Sequence, residues 1–324
     1  SGQFPNPGNK GYAGMYVENH ALLNVGNPSS EVNTFHDLQN GIVAKKSNIQ
    51  VRNSIFSHME QTTVPFGYPL ASSGNGILVT QGSLHQYGLG DDVSSSPVTF
   101  SNCTNGIRAS LASIYIYDNR MQDVLYGVRS TSNVPRPYRI ENNNIRASEA
   151  GIALHQLSQA PGGASIADNT ITINGNPAGV GIKLGGIPYA THKGGVVKNN
   201  AVYVRNAAKG IEMNQTNELT VSNNTVYLQG GSNYVGIQAN GGYKNAVLCN
   251  NVVGSLQAQS TSGGPEATDF INIRAYQSMN SPENEWGCNL MMGSGIGMEF
   301  SGASELSDIR GNKFQELNFG LQIG

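Results

Sequence analysis

Short runs of alternating apolar and polar residues recur along this chain at a nearly constant distance. One run reads Φ-x-N-N-x-Φ, where Φ is apolar, and after a variable segment it is followed by G-I-x-Φ. The clearest copies begin at Ile140, Ile166, Val197 and Val221. Alternation over about four to six positions is typical of a β-strand with one buried face. The pattern therefore predicts many short strands arranged in repeats.

Weaker copies extend the repeat in both directions, with equivalent Asn residues mostly about 23 to 31 positions apart. One such unit cannot bury its apolar face alone, whereas stacked units close a continuous core. A β-propeller needs four strands in a repeat of roughly 40 residues, and this unit is too short. We therefore predict an all-β fold, a single-stranded right-handed parallel β-helix (a solenoid) of about eleven rungs.

The recurring positions of the unit have physical roles in such a fold. Asn tolerates left-handed backbone angles at a turn, and identical turns that stack can form ladders of side-chain amides. Gly before Ile suits a tight corner where a Cβ would collide. Three segments interrupt the rhythm and are predicted to protrude as loops: Glu60–Asn75, Gly82–Pro97 and Leu256–Asp269.

Composition gives no sign of a second domain. Charged residues make up only 12% of the chain, Gly reaches 41 residues, and the net charge is -2. This charge favours neither nucleic acid nor an anionic membrane, and no apolar stretch approaches the roughly 18 residues of a membrane span. Because no composition change divides the chain, we expect a single domain over 1–324, as a fragment of, or a subunit in, something longer. The N-terminus carries no export signal, so any such signal has been removed or lies outside this sequence.

The Φ-x-N-N-x-Φ…G-I pattern resembles the right-handed parallel β-helix repeats of the pectate-lyase-like superfamily over nearly the whole chain. Segments such as Asn40-Gly41-Ile42 and Trp286-Gly287-Cys288-Asn289 are similar to repeats of large secreted or surface proteins of Bacteroidetes. The resemblance implies a secreted, extracellular or cell-surface location. It implies the fold much more than the activity, since one fold hosts many functions.

The catalytic motifs of this superfamily are mostly missing. Hydrolases of the fold use N-x-D, D-D, G-H-G and R-x-K motifs, and only Asp91-Asp92 matches any of them. An adjacent pair does not provide two carboxylates across a bond, so a solvated turn or a weak calcium site is the alternative. No other cofactor is expected, because the six His residues lack zinc-like spacing. His155 is interpreted as a rim residue.

Two outward-facing sets could bind a glycan. The residue after Gly-Ile or Gly-Val is a cation at Arg108, Arg129 and Lys183, and such a stripe could hold the carboxylates of an acidic glycan. The alternative is an ordinary solvent-facing position. Tyr203 and Tyr227 occupy equivalent positions in successive rungs, so their rings should stack as a sugar platform or simply as a stabilising pair.

Cysteine spacing offers a disulfide hypothesis. Aligning Cys249-Asn250-Asn251 with the segment that begins at Cys288 places Cys249 over Cys288 in adjacent rungs, within disulfide distance. The alternative register matches Asn251 with Asn289 and offsets the two thiols.

The leading functional hypothesis is a non-catalytic extracellular or cell-surface β-helix that acts as a scaffold, adhesin or fibre subunit. Its partners would be further β-helix repeats or copies of itself, arranged head to tail, or a polysaccharide. The alternatives are a polysaccharide lyase or epimerase acting on an acidic glycan, and a glycan-binding β-helix.

Overall fold

A computed structural model describes residues 11–27, 31–60, 73–89, 97–156, 164–185, 192–206, 209–229, 234–241, 246–255, 270–276, 284–293, 295–302 and 308–324. These residues form parallel strands that wind into a right-handed β-helix, so the predicted fold class is confirmed. Each coil contributes one strand to each of three faces. The number of coils in the whole chain stays a prediction, as does its organisation as one domain.

Face one is a parallel sheet of eleven strands. They are β2 (Leu23–Val25), β5 (Asn48–Val51), β8 (Ser83–Tyr87), β11 (Ser113–Tyr117), β13 (Tyr138–Glu141), β15 (Ala164–Ala167), β19 (Val196–Lys198), β23 (Thr220–Ser222), β26 (Val247–Cys249), β29 (Glu285–Gly287) and β32 (Asp308–Arg310).

Faces two and three are continuous, because two long strands run through both. These strands are β12 (Arg120–Ser132) and β14 (Asn144–Gln156). The other strands of face two are β3 (Asn33–His36), β6 (Ser54–Met59), β9 (Phe100–Cys103), β16 (Thr170–Asn174), β20 (Ala201–Arg205), β24 (Thr225–Gln229), β27 (Val252–Ser255), β30 (Leu290–Met292) and β33 (Lys313–Gln315).

Face three carries the Gly-Ile motifs. Its other strands are β1 (Ala13–Glu18), β4 (Asn40–Lys45), β7 (Asn75–Thr80), β10 (Asn105–Ser110), β17 (Val180–Gly185), β21 (Lys209–Asn214), β25 (Val235–Asn240), β28 (Phe270–Tyr276), β31 (Gly295–Ser301) and β34 (Phe319–Ile323). A separate pair, β18 (His192–Lys193) and β22 (Thr216–Asn217), lies outside the three faces.

The core consists of the inward side chains of all three faces, stacked on their equivalents in the next coil. On face three, for example, Ile152, Ile182 and Ile211 are in register and fully buried. On face two, Phe35, Phe56 and Phe100 stack with ring centroids 5.0 and 4.9 Å apart. Burying such side chains contributes about 1.5–3 kcal/mol each, which makes the coil-to-coil contact the main source of stability.

The predicted amide ladder is present at the corner between faces one and two. It runs through Gln86, Asn119, Asn143, Asn169, Asn200, Asn224, Asn251, Asn289 and Asn312, with amide–amide distances of 2.9–3.1 Å. Each of these side chains except the last is fully or almost fully buried. In most coils the residue before the ladder residue is left-handed, as at Asn142 and Asn199 with φ of 54° and 55°. The first Asn of the motif therefore makes the turn, and the second connects the coils.

The Gly of the Gly-Ile motif lies inside a strand, so the predicted tight corner is wrong for it. At Gly181 an added Cβ would lie 2.3 Å from Val202 Cγ1 and 2.5 Å from the carbonyl oxygen of Gly210. The constraint is close packing against face two and the next coil rather than turn geometry.

One loop prediction is also wrong in part. Within Gly82–Pro97, residues Ser83–Tyr87 form β8, because Leu84 alternates into the core. Asn75, at the end of the first predicted loop, begins β7. The remainder of these segments falls largely outside the described residues, at 61–72, 90–96 and 256–269.

The amide ladder gives a stability prediction. We expect Asn200→Ala to lower the free energy of unfolding by about 3 kcal/mol, because it removes bonds to Asn224 and to the carbonyls of Ile166 and Lys198 inside the core. The control is Asn199→Gly, a change at an exposed left-handed residue that should cost under about 1 kcal/mol. Chemical denaturation measures both, and equal losses would contradict the role of the ladder.

A buried histidine gives a pH prediction. His192 is fully buried beside the hydroxyl of Tyr138, 3.2 Å from Nε2, and burial lowers the pKa of His192 from 6.5 to about 4. Below pH 6.5 the unfolded chain gains a proton that the folded chain gains only near pH 4. The free energy of unfolding should therefore fall by on the order of 3 kcal/mol as the pH falls through this window.

Denaturation at several pH values tests this prediction. His192→Gln should flatten the pH dependence between about 6.5 and 4. A slope that persists in His192→Gln would show that other groups cause it.

Candidate functional site

The outward column on face three brings the predicted cations into register. Arg108 of β10 pairs with Arg129 of β12, which is followed along the column by Ala153, Lys183 and Glu212. The two arginines are therefore neighbours, about 4.8 Å apart along the axis. Lys183 is separated from them by the small side chain of Ala153.

Lys183 has a carboxylate partner in the next coil. Its Nζ lies 3.2 Å from Glu212, which also pairs with Lys209. Burial alone would raise the pKa of Glu212, but the two lysines lower it overall, so Glu212 stays ionised. Next to the arginine pair, Lys183 therefore belongs to a cluster of two lysines that share the one carboxylate of Glu212.

The arginine pair opens onto a cleft of about 320 Å³. The cleft is lined by Ser73, Thr104, Asn105, Arg108, Leu125, Tyr126, Arg129 and Glu149. Arg129 lies over the ring of Tyr126, with its guanidinium carbon 4.9 Å from the ring centroid. This cation–π contact fixes one wall of the cleft and leaves the edge of the guanidinium available for hydrogen bonds.

Electrostatics make this cleft favourable for an anion. On its other side Arg108 is aligned with Leu78, which is buried despite its outward position. Burial, followed by repulsion from Arg129, lowers the pKa of Arg108. An anion between the guanidiniums would relieve the repulsion and restore part of the lost hydration.

His155 lies beside the same column. It follows Ala153 by two positions and so faces outward, next to Thr131 and Gly185 of the adjoining coils. Burial, together with the charges of Lys183 and Arg129, lowers the pKa of His155, with Glu212 opposing. The imidazole is therefore neutral at neutral pH, next to two cations.

Asn105 contributes an unusual acceptor to the cleft. The residue is 2% exposed, and its Nδ2 donates to Asn75 Oδ1 at 2.9 Å. Its own Oδ1 is buried and has no hydrogen-bond partner among the described residues.

The tyrosine pair stacks as predicted. Tyr203 and Tyr227 are in register on face two, with ring centroids 5.0 Å apart and planes inclined by 19°. Both are half-buried. The stacking is confirmed, whereas sugar binding at these rings stays a prediction.

The predicted alignment of the cysteines is wrong. Cys249 is aligned with Gly287, and Asn251 Nδ2 donates to Asn289 Oδ1 at 3.0 Å, which is the alternative register. Cys249 and Cys288 are free thiols in this structure. Asp91 and Asp92, the predicted calcium ligands, lie outside the described residues.

Sequence reasoning missed Asn105, Tyr126 and Glu149, and it interpreted His155 only as a rim residue. A signal existed for Asn105, since the triplet Asn-Gly-Ile occurs three times, at Asn40, Asn75 and Asn105. Counting two positions on from Ala153 would also have placed His155 outward on the cationic face.

Comparison with known proteins adds a family. A family model described as "Periplasmic copper-binding protein (NosD)" matches residues 67–270. This description agrees with the predicted location outside the cytoplasm. No curated protein matches the chain. In the described part of the chain, no helix has the length and apolarity to cross a membrane.

Several solved structures share the fold at low identity. They include the periplasmic alginate epimerase AlgG, with a TM-score of 0.41 and 12% identity over 95% of this chain and 78% of that one. The A-module of the Azotobacter vinelandii mannuronan C-5 epimerase AlgE6 has a TM-score of 0.39 and 12% identity over 97% and 90%. The Streptococcus pneumoniae surface protein and adhesin PfbA has a TM-score of 0.31 and 10% identity over 94% and 91%. These distant similarities carry no functional argument.

Copper is the metal that the family description mentions. Protein copper sites use imidazole, thiolate and thioether ligands, and all His and Cys residues of this chain lie in its described part, whereas Met279 lies outside it. Among the described residues, no three His, Cys, Asp or Glu side chains come together as a metal site. Burial also raises the pKa of the Cys103 thiol to about 12, which keeps it protonated.

Proposed function

The chain belongs to the NosD family, and from this membership and the cleft geometry we propose that it is an exported β-helix scaffold that binds an acidic polysaccharide. The observation that carries the proposal is the in-register pair Arg108 and Arg129 at the edge of the 320 Å³ cleft. Binding requires no catalysis, and the rigid rod presents the cleft at a fixed position.

The arginine pair favours carboxylates over other ligands. A guanidinium donates two parallel hydrogen bonds to a carboxylate, and each charged bond contributes about 1.5–3 kcal/mol. Two guanidiniums on adjacent strands can hold one carboxylate together or two in sequence. No carboxylate in the described residues forms an ion pair with Arg129, whose contact is the ring of Tyr126.

The helical repeat supports a polymer rather than a small anion. Outward side chains recur about every 4.8 Å along face three, which is close to the length of one pyranose unit in an extended chain. Beyond Arg129 the column continues with Ala153, Lys183 and Glu212. A glycan lying along this column would meet the arginines first and then a shallow surface next to Ala153.

Substitution of the arginines tests the proposal. We expect Arg108→Gln and Arg129→Gln each to weaken binding of oligogalacturonate by about tenfold to a hundredfold, because each removes a charged hydrogen-bond donor. Binding should also weaken with rising salt, since the groups are partly exposed. Isothermal titration at two ionic strengths measures both effects.

The matched control is Arg139→Gln. Arg139 is exposed on face one, away from the cleft, and its substitution changes the net charge equally. Unchanged affinity in this variant is expected. If all three variants lose affinity to the same extent, the interaction is a general charge effect and the proposed site is wrong.

A second candidate function is a lyase or epimerase, favoured by His155. A carboxylate held by Arg129 would have an acidic proton on the neighbouring carbon of the sugar. The neutral imidazole of His155, near Arg129 and Lys183, could accept this proton as a general base. Elimination would then break the bond to the leaving oxygen, while epimerisation would return a proton to the opposite side.

The catalytic candidate has its own test. If it holds, the chain should produce unsaturated or epimerised uronate from uronic-acid polymers, and His155→Asn should lower the rate by at least about a hundredfold. His85→Asn, on face one and stacked against Tyr115 at 4.4 Å, is the control. Ultraviolet absorbance and proton NMR detect the two products, and binding without either product supports the scaffold.

A further inference from the structure

A second amide ladder, distinct from the corner ladder, ends at the cleft. It runs along face three from Asn40 through Asn75 to Asn105. Asn40 Nδ2 donates to the Tyr12 carbonyl at 3.1 Å, Asn75 Nδ2 to Asn40 Oδ1 at 2.7 Å, and Asn105 Nδ2 to Asn75 Oδ1 at 2.9 Å. All three bonds point in the same direction, so the ladder has a donor end and an acceptor end.

The acceptor end is open because the next coil breaks the pattern. The residue in register with Asn105 is Tyr126, where a further Asn would continue the ladder. The ring of Tyr126 instead lies under Arg129. Asn105 Oδ1 is thus left as a buried acceptor without a partner among the described residues, on a residue that lines the cleft.

A buried acceptor without a hydrogen-bond partner favours the binding of a donor. A buried polar atom without a hydrogen bond destabilises the fold, and a hydrogen bond from a ligand would remove this destabilisation. Hydrogen bonds that run in one direction polarise one another, so the last oxygen of the ladder is a stronger acceptor than an isolated amide. The neighbouring guanidiniums attract a negatively charged ligand, while Asn105 Oδ1 requires a hydrogen-bond donor.

We propose that Asn105 Oδ1 accepts a hydrogen bond from a hydroxyl group of the same sugar unit whose carboxylate binds Arg108 and Arg129. This inference rests on the proposed function and adds the substrate class to it. The cleft selects hydroxylated sugar acids over polyanions without hydroxyl donors. Glu149, which also lines the cleft, disfavours ligands with a negative charge on every side.

Titration with two probes tests this selectivity. Oligogalacturonate carries carboxylates and hydroxyls, whereas oligoacrylate with the same number of carboxylates has no hydroxyls. Asn105→Leu, which has nearly the same shape but no acceptor, should weaken oligogalacturonate binding about tenfold and leave oligoacrylate binding unchanged. The control Asn40→Leu disturbs the same ladder two strands away from the cleft and should preserve the selectivity.

The outcomes separate this inference from the proposed function. If the arginine variants weaken binding of both probes but Asn105→Leu changes neither, the anion site stands and the hydroxyl contact is wrong. If Asn105→Leu weakens both probes equally, the residue has only a structural role, which also overturns the inference. Should Asn105→Leu not fold, the affinity of the wild-type chain for oligogalacturonate is compared with its affinity for the hydroxyl-methylated derivative. Equal affinities would contradict a hydroxyl donor.

Discussion

The register between coils is the constraint on which the rest of this structure depends. In a parallel β-helix each side chain sits on its equivalent in the next coil, and a slip of one residue would exchange the buried and exposed faces. The corner ladder opposes such a slip, since each buried amide bonds to the amide in the next coil. Asn224, for instance, is bonded to Asn251 through both its backbone nitrogen and its Nδ2. The ladder thereby aligns equivalent positions of the sequence repeat in fixed columns of side chains.

Fixed columns explain how two arginines come to lie side by side at the cleft. Arg108 and Arg129 face the same way because both are the first outward residue after an inward Ile or Val. Like charges directly opposite on neighbouring strands destabilise a sheet. The core contacts of Ile107 and Val128, both fully buried, outweigh this repulsion and hold the guanidiniums together. The stability of the rod therefore makes this locally unfavourable arrangement of like charges possible.

Most of the fold could be predicted from the sequence, because in a solenoid the residues that contact each other occupy equivalent positions of the sequence repeat. The failures have physical causes. The alignment of Cys249 with Cys288 matched residue types, but it would have moved the buried Asn251 out of the ladder, and the ladder decided the register. The strand Ser83–Tyr87 was missed because its flanking segments lack the Asn motif. In the site, the arginine pair could be predicted by counting positions, whereas the pairing of Lys183 with Glu212 depends on side-chain reach.

Asn105 shows why a candidate binding residue can be mistaken for part of a structural motif. In Asn40 and Asn75 the amide connects neighbouring coils, and the same residue type at the third position looks like a continuation of the ladder. The role of Asn105 differs because Tyr126 occupies the position where the next amide of the ladder would lie. A ladder stabilises the fold only while each acceptor has a donor, so its last member must be exposed to water, be capped by the protein, or bind something. Asn105 Oδ1 is neither exposed nor capped by any described residue, and it lies where the guanidiniums of Arg108 and Arg129 attract an anion. A sugar acid of the proposed kind would offer a hydroxyl donor to Asn105 Oδ1 and a carboxylate to the guanidiniums of Arg108 and Arg129.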